Sequence, residues 1–246
     1  MLKPSNRSRT GAQILVDALE AHGLRHAFGV PGESYLAVLD ALKDSNINFT
    51  ICRQESGAAY MAEAAGKLTG MPGLCFVTRG PGMTNASAGV HVAQQDSTPM
   101  ILISGQIPRN FRHREAFQEI DVRAVFGTMA KWVVEIDDPA RIPEFVARAV
   151  RVATQGRPGP VVMTLPEDML LDVVATDDLK GFTPIEIAPA AADMAKLQEM
   201  LQAAERPFVI VGGSRWNEAA VNSLVRFAER FDLPVGASFR RQMLFP

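Results

Sequence analysis

No stretch of this 246-residue chain approaches the roughly 18 consecutive apolar residues that a membrane-spanning helix needs. Its first residues, MLKPSNRSRT, lack the apolar core of a signal peptide. A surplus of charge of either sign is missing too, the formal net charge being -2. Without excess cations there is little to release counterions from nucleic acid or to meet anionic headgroups, so neither nucleic acid nor a membrane is an expected partner. Cysteine is scarce: Cys52 and Cys75 stand alone in apolar runs with no CxxC or metal-ligand spacing. That pattern reads as buried, reduced thiols in a cytoplasmic protein, with no metal site of their own. Internal repeats and low-complexity tracts are absent as well.

What remains, 47% hydrophobic and 21% charged residues, is the profile of a globular protein. Thr10 precedes GAQILVDALEAHG, whose Ile14, Leu15, Ala18 and Leu19 share one helical face and whose Gly23 suits a C-terminal cap. After HAFGV the chain breaks at Pro31 and Gly32, then resumes helical spacing through Leu36, Leu39 and Leu42. The alternation continues through INFTIC, SGAAYMAEAAGKLTG, GLCFVT, the loop RGPG, MTNASAGVHVAQQ, MILISG, a longer loop, KWVVEI, PARIPEFVARAVRVATQ and GPVVMTL. Strands spaced by helices imply parallel crossovers, hence an α/β fold: a doubly wound parallel sheet with helices on both faces, spanning residues 1–171. Residues 172–190 mix Asp, Pro and Gly without a sustained period and read as a linker. A second α/β pattern then runs over residues 191–246. It is expected to be the incomplete start of a domain, because two or three strands with their helices do not close a core.

Three strand ends of the first domain carry unusual turns: GVPGES at 29–34, RQES at 53–56 and TRGPGMTN at 78–85. Each alone is an ordinary Gly and Pro turn, but three on one edge of a parallel sheet suit a ligand. None has the Lys and glycine spacing of a Walker loop, and no GxGxxG follows the first strand, so a nucleotide phosphate is not expected there. Gly212 and Gly213 in the second domain leave a flavin or nucleotide open against a plain tight turn, with no further residue supporting one. Glu55 is the residue with chemistry. A carboxylate at a helix N-terminus is stabilised by about 0.3–1 kcal/mol, which fits a simple helix cap. Against that, Ser56 can cap unaided, and Gly57, Ala58, Ala62 and Gly66 make a face almost without bulk, on which another helix crosses closely. A carboxylate beside so dry a contact has its charged form disfavoured, which suits proton sharing with a ligand nitrogen.

FGVPG, RQESGAAYMAEAAGKLTG, RGPGMTN, DSTPMILISGQ, AFQEID and RPGPVVMTLPED occur in the order and spacing of a known domain. They resemble the N-terminal pyrimidine-binding domain of thiamine-diphosphate enzymes, most of all the acetolactate-synthase-like branch of decarboxylases and carboligases. The stretch from Pro189 resembles the start of the family's central domain. The resemblance implies that Glu55 hydrogen-bonds the ring nitrogen of the cofactor's aminopyrimidine and favours the imino form, which removes the thiazolium proton. The activated cofactor then attacks a 2-oxo acid and serves as electron sink.

By the same resemblance Gly29, Val30, Pro31 and Gly32 form the loop over the reactive face, and Pro81, Gly82, Thr84 and Asn85 line the pyrimidine pocket. Gln118, which the residues alone read as a solvated loop amide, matches a glutamine that points at the reacting centre. His91, mid-helix among small residues, reads as a core histidine, and His113 lies in the loop before Gln118, within reach of substrate. The resemblance further implies Mg2+ and diphosphate ligands on a C-terminal domain whose GDG-type motif does not occur here. It also implies a homo-oligomer, at least a dimer, formed through the pyrimidine-binding domain, with the small-residue helix after Glu55 meeting a neighbouring subunit. One departure stands out: where the family usually has Pro-Lys-Asp, this chain has Pro166, Glu167 and Asp168, which counts against acetolactate formation as the specific activity. The reading is the N-terminal portion of a thiamine-diphosphate-dependent decarboxylase or carboligase acting on a 2-oxo acid. The alternatives are a non-catalytic nucleotide-binding or interaction module of the same fold, and one subunit of a split enzyme.

Overall fold

The computed structural model describes residues 8–181, 183 and 185–246. Residues 1–7, expected to carry no signal core, and Phe182 and Pro184 of the expected linker lie outside the described residues. The chain divides into two compact units, 1–184 and 185–246.

The first unit begins with β1 (Ser8–Thr10) and α1 (Gly11–Ala21). Thr10 closes a capping box: its hydroxyl accepts from the Gln13 amide at 3.2 Å, and the Gln13 side chain accepts from the Thr10 amide at 3.0 Å. Past the helix end Gly23 takes a φ of 76°, the left-handed turn that the sequence pattern suggests. There follow β2 (His26–Gly29), α2 (Leu36–Lys43), β3 (Asn48–Ile51), α3 (Glu55–Thr69), β4 (Gly73–Val77) and α4 (Gly80–Asp96). The remaining elements are β5 (Met100–Gln106), α5 (Val122–Phe126), β6 (Trp132–Glu135), α6 (Ile142–Thr154), β7 (Pro160–Pro166) and β8 (Val173–Ala175).

Six of these strands make one parallel sheet in the order β3-β2-β4-β5-β7-β6. Its central strands are continuously apolar because both faces are covered. On β4, Leu74 and Phe76 join a core cluster with α1, α2 and α6, while Cys75 and Val77 join a second cluster with α3, α4 and α5. The division follows from crossover handedness. The steps from β2 to β3 and from β6 to β7 run one way along the sheet, the other steps run the opposite way, and a fixed hand therefore places their helices on opposite faces.

The details depart from the sequence pattern where neighbours decide. β3 is the sheet edge, not a buried strand: Ile47 is buried but Ile51 is 70% exposed. On α2 the inward stripe is Tyr35, Val38 and Leu42, while Leu36 points out, since a 3-10 turn at Glu33–Tyr35 rotates the helix entry. RGPG is not a loop; α4 begins at Gly80, and Pro81 is tolerated in its first turn because amides there have no partner within the helix. The longer loop contains α5, capped by Asp121 accepting from the Ala124 amide at 3.0 Å. Within the expected linker, β8 pairs antiparallel with β1. There Arg9, buried, donates to Asp17 at 2.5 Å and pairs with Asp178 at 2.8 Å.

The small-residue face of α3 is turned inward, so this face is covered within the chain rather than open to a neighbouring subunit. Ala58, Ala59, Ala62 and Gly66 are buried against elements of the same unit. A β-carbon added to Gly89 of α4 would meet the Ala59 β-carbon at 2.5 Å, one on Gly73 would strike the Ala62 carbonyl, and one on Gly66 the Pro99 carbonyl. The helix that crosses closely is α4. His91 of α4, expected in the core, is exposed on the outer side of this pair.

The second unit contains α7 (Ala191–Ala203), β9 (Val209–Val211), α8 (Glu218–Phe231) and β10 (Val235–Ala237), with β9 and β10 parallel and Val209 opposite Val235. Asn217 caps α8 by accepting from the Ala220 amide at 2.8 Å. Among the described residues no helix is long and apolar enough to cross a membrane.

If the α3–α4 contact is as tight as this, Gly89→Ala overpacks it and lowers stability by about 1–3 kcal/mol. A urea titration reads this as a lower midpoint at unchanged slope. An unaltered midpoint would mean that the helices can part without cost.

Candidate functional site

The strand order reverses between β2 and β4: the chain leaves β2 for the edge strand β3 and returns to β4 on the other side. Ligands of doubly wound sheets sit outside the carboxyl ends of strands at such a point. Here the turns after β2, β3 and β4 meet, and they carry most of the candidate residues.

Glu55 is the first residue of α3, half-buried. The cap is Gln54, not Ser56: the Gln54 side chain accepts from the Gly57 amide at 2.8 Å, while the Ser56 hydroxyl donates to the Asn85 carbonyl at 2.5 Å. This leaves the Glu55 carboxylate free of capping. Its Oε2 accepts from the Asn85 amide nitrogen at 3.1 Å. Its Oε1 faces Gly82, where an added β-carbon would stand 3.7 Å from that oxygen and 2.9 Å from Thr78 Cγ2. Glycine at position 82 therefore keeps open the space beside the carboxylate.

Of the other candidates, Gly29 is packed under the Phe76 carbonyl and the Phe49 ring, and Val30 donates its amide to the Phe76 carbonyl at 3.2 Å. Pro31 is exposed. Gly32 lies against Thr78, whose Cβ would be 2.7 Å from an added β-carbon. Pro81 is exposed in the first turn of α4, and the Thr84 hydroxyl is turned back onto the Gly80 and Pro81 carbonyls at 3.1 and 3.0 Å. Thr84 thus braces the turn through its hydroxyl.

Gln118 takes a left-handed φ of 65°, and its carbonyl presses on Gly80, where a β-carbon would approach to 2.6 Å. No hydrogen bond joins its side chain to Glu55 or Asn85 among the described residues. The loop that carries it is strained, with His113 and Glu115 also at positive φ. Glu119 compensates by accepting from the His113 and Ala116 amides at 2.8 and 3.1 Å, and these donors hold its carboxyl below the usual range. The loop is pinned at its start by Arg109, which pairs with Asp168 at 2.8 Å and Asp172 at 2.7 Å.

Four residues that sequence reasoning passed over, Tyr35, Ser34, Thr78 and Arg79, hold the loops together. The Tyr35 hydroxyl, fully buried, donates to the Val30 carbonyl at 2.5 Å. Burial pushes this phenol and the Cys75 thiol well above their ordinary pKa values, with the Glu55 charge adding to both, so each stays protonated. Ser34 and Thr78 share a hydrogen bond of 2.9 Å. Arg79, buried, pairs with Glu33 and, at 2.9 Å, with Glu167. The clue in the sequence is a charged residue set inside each glycine turn, but nothing local says which of them meet.

A separate cavity of about 900 Å³ opens over β5, β6 and β7, lined by Gln106, Arg112, Glu119, Glu135, Asp137 and Thr164 among others; neither Glu55 nor Asn85 lines it. Burial raises the Glu135 carboxyl there, and Arg112 pulls it partly back. Among the described residues no cluster of three or more His, Cys, Asp or Glu is arranged to hold a metal ion.

The fold and this geometry define an α/β ligand-binding domain with one carboxylate offered at its switch point beside an open glycine. The chain belongs to the thiamine pyrophosphate (thiamine diphosphate) enzyme family: residues 9–125 match the family's N-terminal TPP binding domain and residues 194–246 its central domain. It is 34% identical over 225 residues to the acetolactate synthase of Bacillus subtilis, a match that covers 91% of this chain and 40% of that protein. To the probable acetolactate synthase large subunit of Methanocaldococcus jannaschii it is 35% identical over 244 residues, 96% of this chain and 41% of the relative. With the acetolactate synthase isozyme 2 large subunit of Escherichia coli it shares 36% identity over 233 residues, 94% and 42% respectively. The chain spans about two fifths of the length of these relatives.

Tyr35→Phe removes the donor to the Val30 carbonyl and lowers stability by about 1–3 kcal/mol, the cost of an unsatisfied acceptor in a buried setting. Thermal unfolding measures it. An unchanged melting temperature would show that the 29–35 segment is held without this bond.

Proposed function

We propose that this chain is the cofactor-activating portion of a thiamine-diphosphate-dependent decarboxylase or carboligase acting on a 2-oxo acid. The observation that carries the reading is the pairing of the free Glu55 carboxylate with the Asn85 amide, beside the gap left by Gly82. A carboxylate, an amide and a glycine-lined gap fit an aminopyrimidine, which has both donors and acceptors along one edge. When bound, thiamine diphosphate supplies the electron sink for decarboxylation of the 2-oxo acid.

The chain's own residues then have distinct tasks. Glu55 would share a proton with the ring nitrogen of a bound aminopyrimidine, general acid/base work at the cofactor rather than at the substrate. Asn85 fixes the carboxylate's orientation through Oε2. Gly29, Val30, Pro31 and Gly32 cover the reactive face and exclude water, while Pro81, Gly82 and Thr84 shape the pocket wall. Gln118 would face the reacting centre from the loop that packs on Gly80. Residues outside this chain hold Mg2+ and the diphosphate, and the functional division stays at 1–171, a linker over 172–190, and 191–246.

A second copy contributes the complementary half of the site, which makes the protein at least a dimer, and the buried reduced thiols suit a cytoplasmic setting. The surface for that contact is the outer side of α3 and α4, where Tyr60, Met61 and Leu68 are exposed, the last by 79%. Gly213, at a φ of 77°, has a conformational reason to be glycine, and a flavin forms no part of this reading.

In the full-length protein, Glu55→Gln slows hydrogen–deuterium exchange at the cofactor's thiazolium carbon by about 100-fold or more, within the range of general acid/base catalysis. Proton NMR of quenched samples measures the rate. Exchange at the wild-type rate would favour the non-catalytic module instead.

A further inference from the structure

Arg79 lies in the turn after β4, one of the turns that meet at the switch point, and its side chain is only 7% exposed. It sits at the end of β4, immediately before α4, and its backbone carbonyl accepts the Gly82 amide at 2.9 Å. Its guanidinium reaches two carboxylates from other segments. One Nη pairs with Glu33, in the turn after β2, and the other donates to Glu167, just past β7, at 2.9 Å. The buried Nε has no partner among the described residues. Next to Arg79, Gly80 carries the Gln118 carbonyl, and the Glu167 amide donates to the Gln106 carbonyl at 3.0 Å. One side chain therefore joins the 29–35 turn, the start of the helix that carries Gly82 and Asn85, and the end of β7.

A desolvated arginine with an unmet N–H is a costly way to hold a fold, and packed apolar residues often serve stability as well or better. What a guanidinium adds is a rigid fork that fixes two carboxylates at set angles. Glu33 lies one residue after Gly32 and is itself 66% exposed, so Arg79 draws the turn toward α4 while contributing little through Glu33 to global stability. The acid at position 167, where the resemblance leads one to expect lysine, has its reason here: a lysine would repel Arg79.

We propose that Arg79 is a positioning residue for cofactor activation, holding the 29–32 loop in place beside the start of α4 through Glu33, with Glu167 as the anchor that aims it. This rests on the reading of Glu55 as the cofactor-activating carboxylate. Losing the fork frees the 29–32 loop to lift, and water then enters the space beside the Glu55 carboxylate.

The test uses the full-length protein with Mg2+ and thiamine diphosphate. Glu33→Gln and Arg79→Gln are expected to slow exchange at the thiazolium carbon at least about tenfold, the scale of one lost charge-assisted contact, and to raise deuterium uptake at the amides of residues 29–35 in the cofactor-free protein. Arg79→Lys, which keeps the charge but not the fork, recovers part of the rate. If Arg79→Gln fails to fold, Glu33→Gln carries the test, since its side chain is largely solvated and its unfolding midpoint should stay at the wild-type value. Wild-type exchange in Glu33→Gln while Glu55→Gln abolishes it would overturn the positioning role and leave the cofactor reading standing. Wild-type exchange in Glu55→Gln would overturn both.

Discussion

The candidate site depends on how closely α3 and α4 approach. Their contact is made by absent side chains: Gly89 against Ala59, with Gly73 and Gly66 admitting the backbone of neighbouring segments. A single added methyl group at this crossing has no place to go in a close-packed interior. The two helix starts are drawn together as a result, and the Ser56 hydroxyl on the Asn85 carbonyl locks them at 2.5 Å. Only at that separation does the Asn85 amide reach the Glu55 carboxylate. A packing constraint in the middle of two helices thus sets a hydrogen-bond distance at their ends.

The same contact shows what the sequence made legible and what it did not. The bulkless face of α3 predicts a close crossing from Gly57, Ala58, Ala62 and Gly66, and the crossing is there, made by the last three of these with Ala59 while Gly57 lies outside the buried contact. Which helix crosses is not written in α3, because Gly89 lies thirty positions beyond Ala59 and reads locally as any small helical residue. The strands were legible because covered parallel strands are continuous apolar runs, as in Cys75 and its neighbours. The edge position of β3 was not, since Ile47 and Phe49 give an edge strand the same alternation as an inner one. For α4, Pro81 marked a turn, and a proline in the first helical turn looks the same as one in a loop.

Charge networks were the least legible part. Positions 33, 79 and 167 are joined by one guanidinium, yet each is a plain charged residue at a strand end. Their meeting follows from strand order, which brings the ends of β2, β4 and β7 to one edge of the sheet, and strand order has no local signature. Glu167 illustrates the consequence. In sequence it is a departure from the family pattern at an isolated position; in space it is half of an ion pair whose other half explains it.

Glu55 itself is left uncommitted to the helix by a division of tasks between adjacent residues. A carboxylate at a helix start is normally drawn to the unpaired amides beneath it. Here Gln54 takes that work by accepting from the Gly57 amide, and Ser56 is committed to the Asn85 carbonyl. With both neighbours engaged, the Glu55 carboxylate is spared for Asn85 on one oxygen and the space kept by Gly82 on the other. The unusual feature of RQES is therefore less the acid than the residues around it, which satisfy the helix so that the acid need not. The carboxylate at the helix start is thus held in place by Asn85 while the cap is made by its neighbour.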